Sequence, residues 1–316
     1  MTPSSGTQPF EFTLREDLDV LPDGARDHEI DLHTGFATAA DGSMYYALPG
    51  VGIVRISADM QQQTVISVAD VYRAMNFHST RIATINGEEH LIFTANEHEL
   101  VVVMTLDGEL AFTLARPTLP PYDDPETAYR PTDTLLIGDR LYVADGYAAD
   151  YISVADVHSK MWEHIFGGHT EDRTENGQFR TAHGLALAPD GKHLIIADRW
   201  NSRLQVHALD GTFVASHHLP YNAWLCNLDL IEWQGRWLGV IACLYDVDEE
   251  KQRPAPLFVI DAETFEILSI IRTKEDFGVE RAQRMHNAVW HVYDGRLYIV
   301  CHSWNPGKFM ILEQVV

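Results

Sequence analysis

Four histidines stand at matching places in a repeated unit. His33, His78, His183 and His286 each precede an apolar, strand-like run that closes on a turn glycine, nine residues on for three of them and eight for His183. Asp133 and Asn227 hold the corresponding place in two further units. Imidazole ligates zinc, iron, copper or nickel, and three histidines with an open fourth position describe a catalytic zinc centre. The competing reading is that these side chains hydrogen-bond to backbone and water and fill space. Three more polar residues follow the second runs: Tyr147 after Val143-Ala-Asp-Gly, Arg199 after Ile196-Ala-Asp, and His302 after Val300-Cys. A tyrosine beside a metal cation has its phenolate favoured and serves as a general base. Arginine offers a planar fork to a carboxylate. Taken singly, Tyr147 reads equally well as a packed turn aromatic, and Arg199 as the partner of an acid such as Asp198.

The elements that must position these residues are hairpins. From Arg180 to His207 two alternating apolar runs flank Pro189-Asp-Gly, with His183 before the first run and Asp198-Arg199 after the second. The same plan recurs six times, at spacings of 44 to 59 residues between corresponding positions. Further strand-like segments such as Val101-Val-Val-Met-Thr-Leu, Tyr151-Ile-Ser-Val-Ala-Asp and Leu257-Phe-Val-Ile-Asp bring each unit to four strands. Six four-stranded units predict an all-β, six-bladed β-propeller around a central channel, spanning residues 1–316 as a single domain. The N-terminal segment, residues 1–25, contains Phe10-Glu-Phe-Thr-Leu, a candidate outermost strand for the last blade. On this plan His33, His78, Asp133, His183, Asn227 and His286 line one collar of the channel, with His302 facing the same space. Short helices are expected over Thr64–Met75 and Lys274–Arg284. The long segments Arg116–Arg130 and Gly167–Phe179 are expected to shape the mouth of a site.

Composition narrows the partners. There are 23 Lys and Arg against 46 Asp and Glu, a formal charge of -23 with no basic cluster. Such a chain repels phosphate backbones and anionic lipid, so neither nucleic acid nor a membrane is the expected partner; a small molecule is. No signal-peptide pattern opens the sequence and no apolar run is long enough to span a bilayer. Three cysteines, Cys226, Cys243 and Cys301, lack ligand-like spacing. They fit a reducing, cytoplasmic setting without disulfides.

The units resemble NHL-type propeller repeats. More narrowly, the chain is similar to the peptidyl-α-hydroxyglycine α-amidating lyase family. The matching pieces are Pro131-Thr-Asp with Tyr142-Val-Ala-Asp-Gly-Tyr147, Asn176-Gly-Gln-Phe-Arg-Thr-Ala-His183, Ala197-Asp-Arg199-Trp-Asn-Ser-Arg, and Met285-His286 with His302; Phe77-His78 fits the same register. The resemblance implies a zinc ion on the histidines of alternate blades, His78, His183 and His286, with Tyr147 as catalytic base and Arg199 as an active-site cation. It also implies carbon–nitrogen cleavage of an N-acyl α-hydroxyglycine to an amide and glyoxylate. Some family positions differ here. Met44-Tyr-Tyr-Ala-Leu-Pro stands where the family carries a second arginine, Asn287 where an acid helps hold a structural calcium, and Ala148 and Val206 where it has cysteines.

The leading expectation is therefore a zinc-dependent lyase acting on a small carboxylated α-hydroxy-amide, amidating-lyase-like or ureidoglycolate-like. Two others stand beside it. One is a four-histidine iron site, with His33 as the fourth ligand, in an oxygenase. The other is an NHL-type binding scaffold without catalysis.

Overall fold

The alternating apolar runs pair as antiparallel strands, each burying one set of side chains against the next sheet. The computed structural model describes residues 3–248 and 251–316, so Met1 and Thr2 of the N-terminal segment lie outside the described residues. The chain is an all-β six-bladed β-propeller with little helix. It divides into two compact units, one of Met1–Met75 with Tyr221–Val316 and the other of Asn76–Pro220.

The unit Asn76–Pro220 holds blades two, three and four. Their strands run in simple sequence from Ser79–Ile85 to Leu110–Ala115, from Asp133–Ile137 to Trp162–Gly167, and from Ala182–Leu187 to Phe213–His218. Between blades two and three, Ile92, Val101 and Val103 pack with Leu141, Val143 and Ala155. Between blades three and four, Tyr142, Ile152 and Val154 pack with Leu185, Leu194 and Ile196. The two long segments are drawn inward here. Tyr122 and Tyr129 of the first are buried in the core. The second is gripped by Arg203, whose guanidinium donates to the carbonyls of Arg173, Glu175 and Gln178.

The other unit holds blades one, five and six. Blade one runs from Ala37–Thr38 to Gln63–Ile66, and blade five from Leu225–Trp233 to Ile267–Ile271 with a hairpin of Asp246–Asp248 and Lys251–Arg253 inserted. Blade six is a five-stranded sheet: Met285–Tyr293, Arg296–Ser303 and Lys308–Gln314 are followed in space by Phe10–Leu14 and Ser4–Thr7. The Phe10–Leu14 strand pairs Phe12 with Gln314 and Leu14 with Leu312. Phe36, Tyr46, Val54, Val300 and Phe309 share one core.

Helix is shorter than the sequence suggests. Thr64–Ile66 belongs to the outer strand Gln63–Ile66 of blade one, and helix is confined to Asp70–Arg73. The β-branched Thr64-Val-Ile run explains the difference, because it suits a strand paired with Gly52–Ile56. Over Lys274–Arg284 the helix is Thr273–Phe277, ended by Gly278 in the left-handed region. Among the described residues no helix is long and apolar enough to cross a membrane. All three cysteines are buried, and none is in a disulfide.

Arg203 and Asp198 form a fully buried ion pair, Nε to Oδ2 at 2.7 Å. Removing one member of such a pair strands a charge in low dielectric. Arg203→Met is expected to lower the unfolding free energy by about 3–5 kcal/mol, read from the urea midpoint.

Candidate functional site

Local irregularities aim the histidines. In blade four the pairing register shifts between Ala182 and Gly184, which makes His183 the extra residue of a bulge. The same shift between Met285 and Asn287 falls on His286 in blade six. A bulge re-aims the side chain it carries. His78 sits one residue before its strand, its N–H donating to the Thr94 carbonyl at 2.8 Å.

In the unit Asn76–Pro220 four of the expected residues meet. The Tyr147 hydroxyl lies 3.0 Å from His78 Nε2 and 3.2 Å from His183 Nε2. It also accepts an N–H from Arg199 Nη1 at 3.2 Å. The guanidinium carbon is 5.6 Å from the Tyr147 ring centroid. His78 Nδ1 is 2.6 Å from the Thr132 carbonyl. A carbonyl can only accept, so Nδ1 carries the proton and neutral His78 presents a lone pair at Nε2. That tautomer is the one a metal-ligating histidine needs, with its other nitrogen held by a second partner.

Buried aspartates hold the turns that carry these side chains. Asp145 accepts from Arg130 N at 2.6 Å, from Ala149 N at 3.0 Å and from the Tyr122 hydroxyl. Burial nevertheless pushes its carboxyl up to about 7, outweighing those donors. Asp198 binds Arg180 N, Asn201 Nδ2, Gln205 Nε2 and Arg203, so Arg203 and not Arg199 is its ion-pair partner. Gly146 permits a close approach: a Cβ there would lie 2.1 Å from the Ala182 carbonyl oxygen, next to His183.

In the unit Met1–Met75 with Tyr221–Val316, the His33 ring centroid is 4.6 Å from that of His286. His33 also stacks on Trp304 at 5.1 Å. His302 is buried edge-on to Phe36, and its Nδ1 donates to the Ser303 carbonyl at 3.0 Å. Burial pushes its pKa down to about 4, so the ring is neutral at ordinary pH. His33 and His286 are both buried, and each offers an imidazole nitrogen of the kind that ligates a metal ion.

The other two collar positions tie blades together. Asp133 bonds Arg81 of blade two and Leu185 N of blade four. Asn227 of blade five donates from Nδ2 to the Ala288 carbonyl at 2.8 Å and accepts from Ala288 N at 2.9 Å. Trp304 and Thr132 had no role assigned from sequence. The signals were a tryptophan after the second run of blade six and the polar Thr132 inside Pro131-Thr-Asp.

Gly146→Ala forces the Tyr147 turn away from Ala182. It is expected to cost about 1–3 kcal/mol of stability in chemical denaturation and to lengthen the contact between Tyr147 and His183 in a crystal structure.

Comparisons with known proteins agree with this architecture. The NHL repeat family matches residues 179–206, the hairpin that carries His183 and Arg199. Peptidyl-glycine alpha-amidating monooxygenase A of Xenopus laevis is 36% identical over 98 residues, 30% of this chain and 10% of that protein. The match therefore spans about a tenth of that relative's length. A gluconolactonase from Xanthomonas campestris superposes over 100% of this chain and 96% of its own, with a TM-score of 0.65 and 11% identity. The streptogramin B lyase structure does so over 88% and 92%, with a TM-score of 0.56 and 10% identity. At such identities the structural likeness speaks for the fold. The chain is a six-bladed propeller whose residues 179–206 match the NHL repeat.

Proposed function

We propose that this chain is a metal-dependent lyase that breaks the carbon–nitrogen bond of a small carboxylated α-hydroxy-amide. The observation that carries the reading is the Tyr147 hydroxyl, held between His78 Nε2 and His183 Nε2 with Arg199 donating to its oxygen. The partial match to an amidating enzyme supports the substrate class, and the net charge of -23 argues against a phosphate backbone as ligand.

His78, His183 and His286 would hold the metal, zinc being the ion that three imidazoles with an open position suit best. Bound there, it supplies positive charge that stabilises negative charge developing on oxygen. The chain's own groups do the rest. Arg199 favours the Tyr147 phenolate by donating to its oxygen. The phenolate takes the proton of the substrate hydroxyl, and the electron pair of that O–H bond becomes the new C=O bond. The C–N electrons leave with nitrogen, which recovers the proton from Tyr147. The products are an aldehyde acid, glyoxylate where the substrate is an α-hydroxyglycine, and an amide. Arg199 is also the cation suited to the substrate carboxylate, since its fork offers five N–H donors.

Glyoxylate release from N-acyl α-hydroxyglycines tests the reading. Tyr147→Phe is expected to lower kcat by about 100- to 10,000-fold; unchanged turnover in that variant would overturn the base assignment.

The contact of the His33 and His286 rings, centroids 4.6 Å apart, favours a second reading, a four-histidine iron site in which His33 joins His78, His183 and His286 in an oxygenase. Metal affinity of His33→Ala and His183→Ala, each loaded in turn with zinc and with iron, separates the two. The lyase reading expects His183→Ala to lose affinity the more, whereas the larger loss in His33→Ala, with iron preferred and oxygen consumed, selects the second.

A further inference from the structure

Thr132 is buried and touches the supports of three site residues at once. Its carbonyl accepts from His78 Nδ1 at 2.6 Å and from Thr94 Oγ1 at 3.2 Å. Its hydroxyl donates towards the Ala182 carbonyl at 2.7 Å and lies 3.2 Å from the Ala144 carbonyl. The same oxygen accepts from Gly146 N at 3.3 Å. Ala182 immediately precedes His183, and Gly146 immediately precedes Tyr147. One hydroxyl thus ties the strand entry of blade four to the turn of blade three, at the place where Gly146 and Ala182 come closest.

We propose that Thr132 is the positioning residue of this site. Its hydroxyl sets the separation of Tyr147 from His183, and its carbonyl keeps His78 in the tautomer that carries its lone pair on Nε2. The inference rests on the lyase reading for the roles of those three residues. It explains why a β-branched alcohol serves here: the branched Cβ stiffens χ1, and a stiff χ1 fixes where the hydroxyl points. A serine retains the hydroxyl with more rotational freedom, and a valine retains the shape without the hydrogen bonds.

The test compares Thr132→Val, Thr132→Ser and wild type. Zinc affinity is measured by competition with a chromogenic chelator, and metal-free crystal structures are solved for wild type and Thr132→Val. The expected result is zinc binding about 10- to 100-fold weaker in Thr132→Val, as for loss of a residue that orients a ligand, and restored to within about threefold by Thr132→Ser. In the crystal structure of Thr132→Val the Tyr147 hydroxyl and His183 Nε2 are expected to separate beyond about 3.5 Å, out of hydrogen-bond reach. Where Thr132→Val does not fold, Thr132→Ala takes its place. An unchanged Tyr147 to His183 distance in the hydroxyl-free variant overturns the proposal, as does a loss in Thr132→Ser equal to that in Thr132→Val. A wild-type chain that neither binds zinc nor turns over an α-hydroxy-amide overturns the lyase reading instead; the metal-free crystal comparison still decides the role of Thr132.

Discussion

A buried carboxylate at the end of the second strand decides where the polar side chains of blades three and four stand. Asp145 and Asp198 occupy this place, each after an alanine. Each accepts the N–H of the residue leading into its own blade, Arg130 at 2.6 Å and Arg180 at 2.8 Å. Each also holds the turn that follows, through Ala149 N in one case and Asn201 Nδ2 in the other. A carboxylate removed from water is costly unless its lone pairs are met, so the turn closes around the acid that organises it. Tyr147 and Arg199, just beyond the two acids, are carried into place as a result. The two blades solve the charge differently. Asp198 has a guanidinium against it and three further donors, whereas Asp145 has two amides and a phenol, and burial raises its carboxyl.

Much of this was legible in the residues themselves. The Asp-Gly and Asn-Gly turns between apolar runs specify hairpins with little ambiguity, because few residues tolerate the backbone these turns require. A repeat of histidine, run and turn therefore located the blades. Tyr147 and Arg199 both stand just past the end of a second run, and the structure brings Tyr147 into contact with His78, His183 and Arg199.

What escaped the sequence depends on partners remote in the chain. Asp133 looks like a collar residue by offset, yet its carboxylate is engaged by Arg81 and Leu185 N, one from each neighbouring blade. Periodicity cannot show that a cation 52 residues away will claim an acid. The bulges at His183 and His286 are likewise silent in the pattern, because one extra residue leaves the run of apolar side chains almost intact. Thr64–Ile66 shows the opposite error. A segment with some helical spacing was taken into an outer strand once the neighbouring strand offered hydrogen bonds. His33 has the offset of a collar histidine, but its stacking on Trp304 depends on a residue at the far end of the chain.

Blade six joins strands from opposite ends of the sequence, with Arg15 bonded to Glu313 across a separation of 298 residues. During synthesis the Phe10–Leu14 strand emerges long before its partner Lys308–Gln314. At roughly 5–20 residues per second the early strand waits tens of seconds with its backbone unpaired on that side. Every hairpin inside the blades can close as soon as it leaves the ribosome, because its strands are neighbours. This clasp cannot, so closing blade six is a slow step set by translation and by long-range loop closure. Until then one side of the Phe10–Leu14 strand is an open edge to which another nascent chain can add, and the acidic charge that keeps chains apart is its protection.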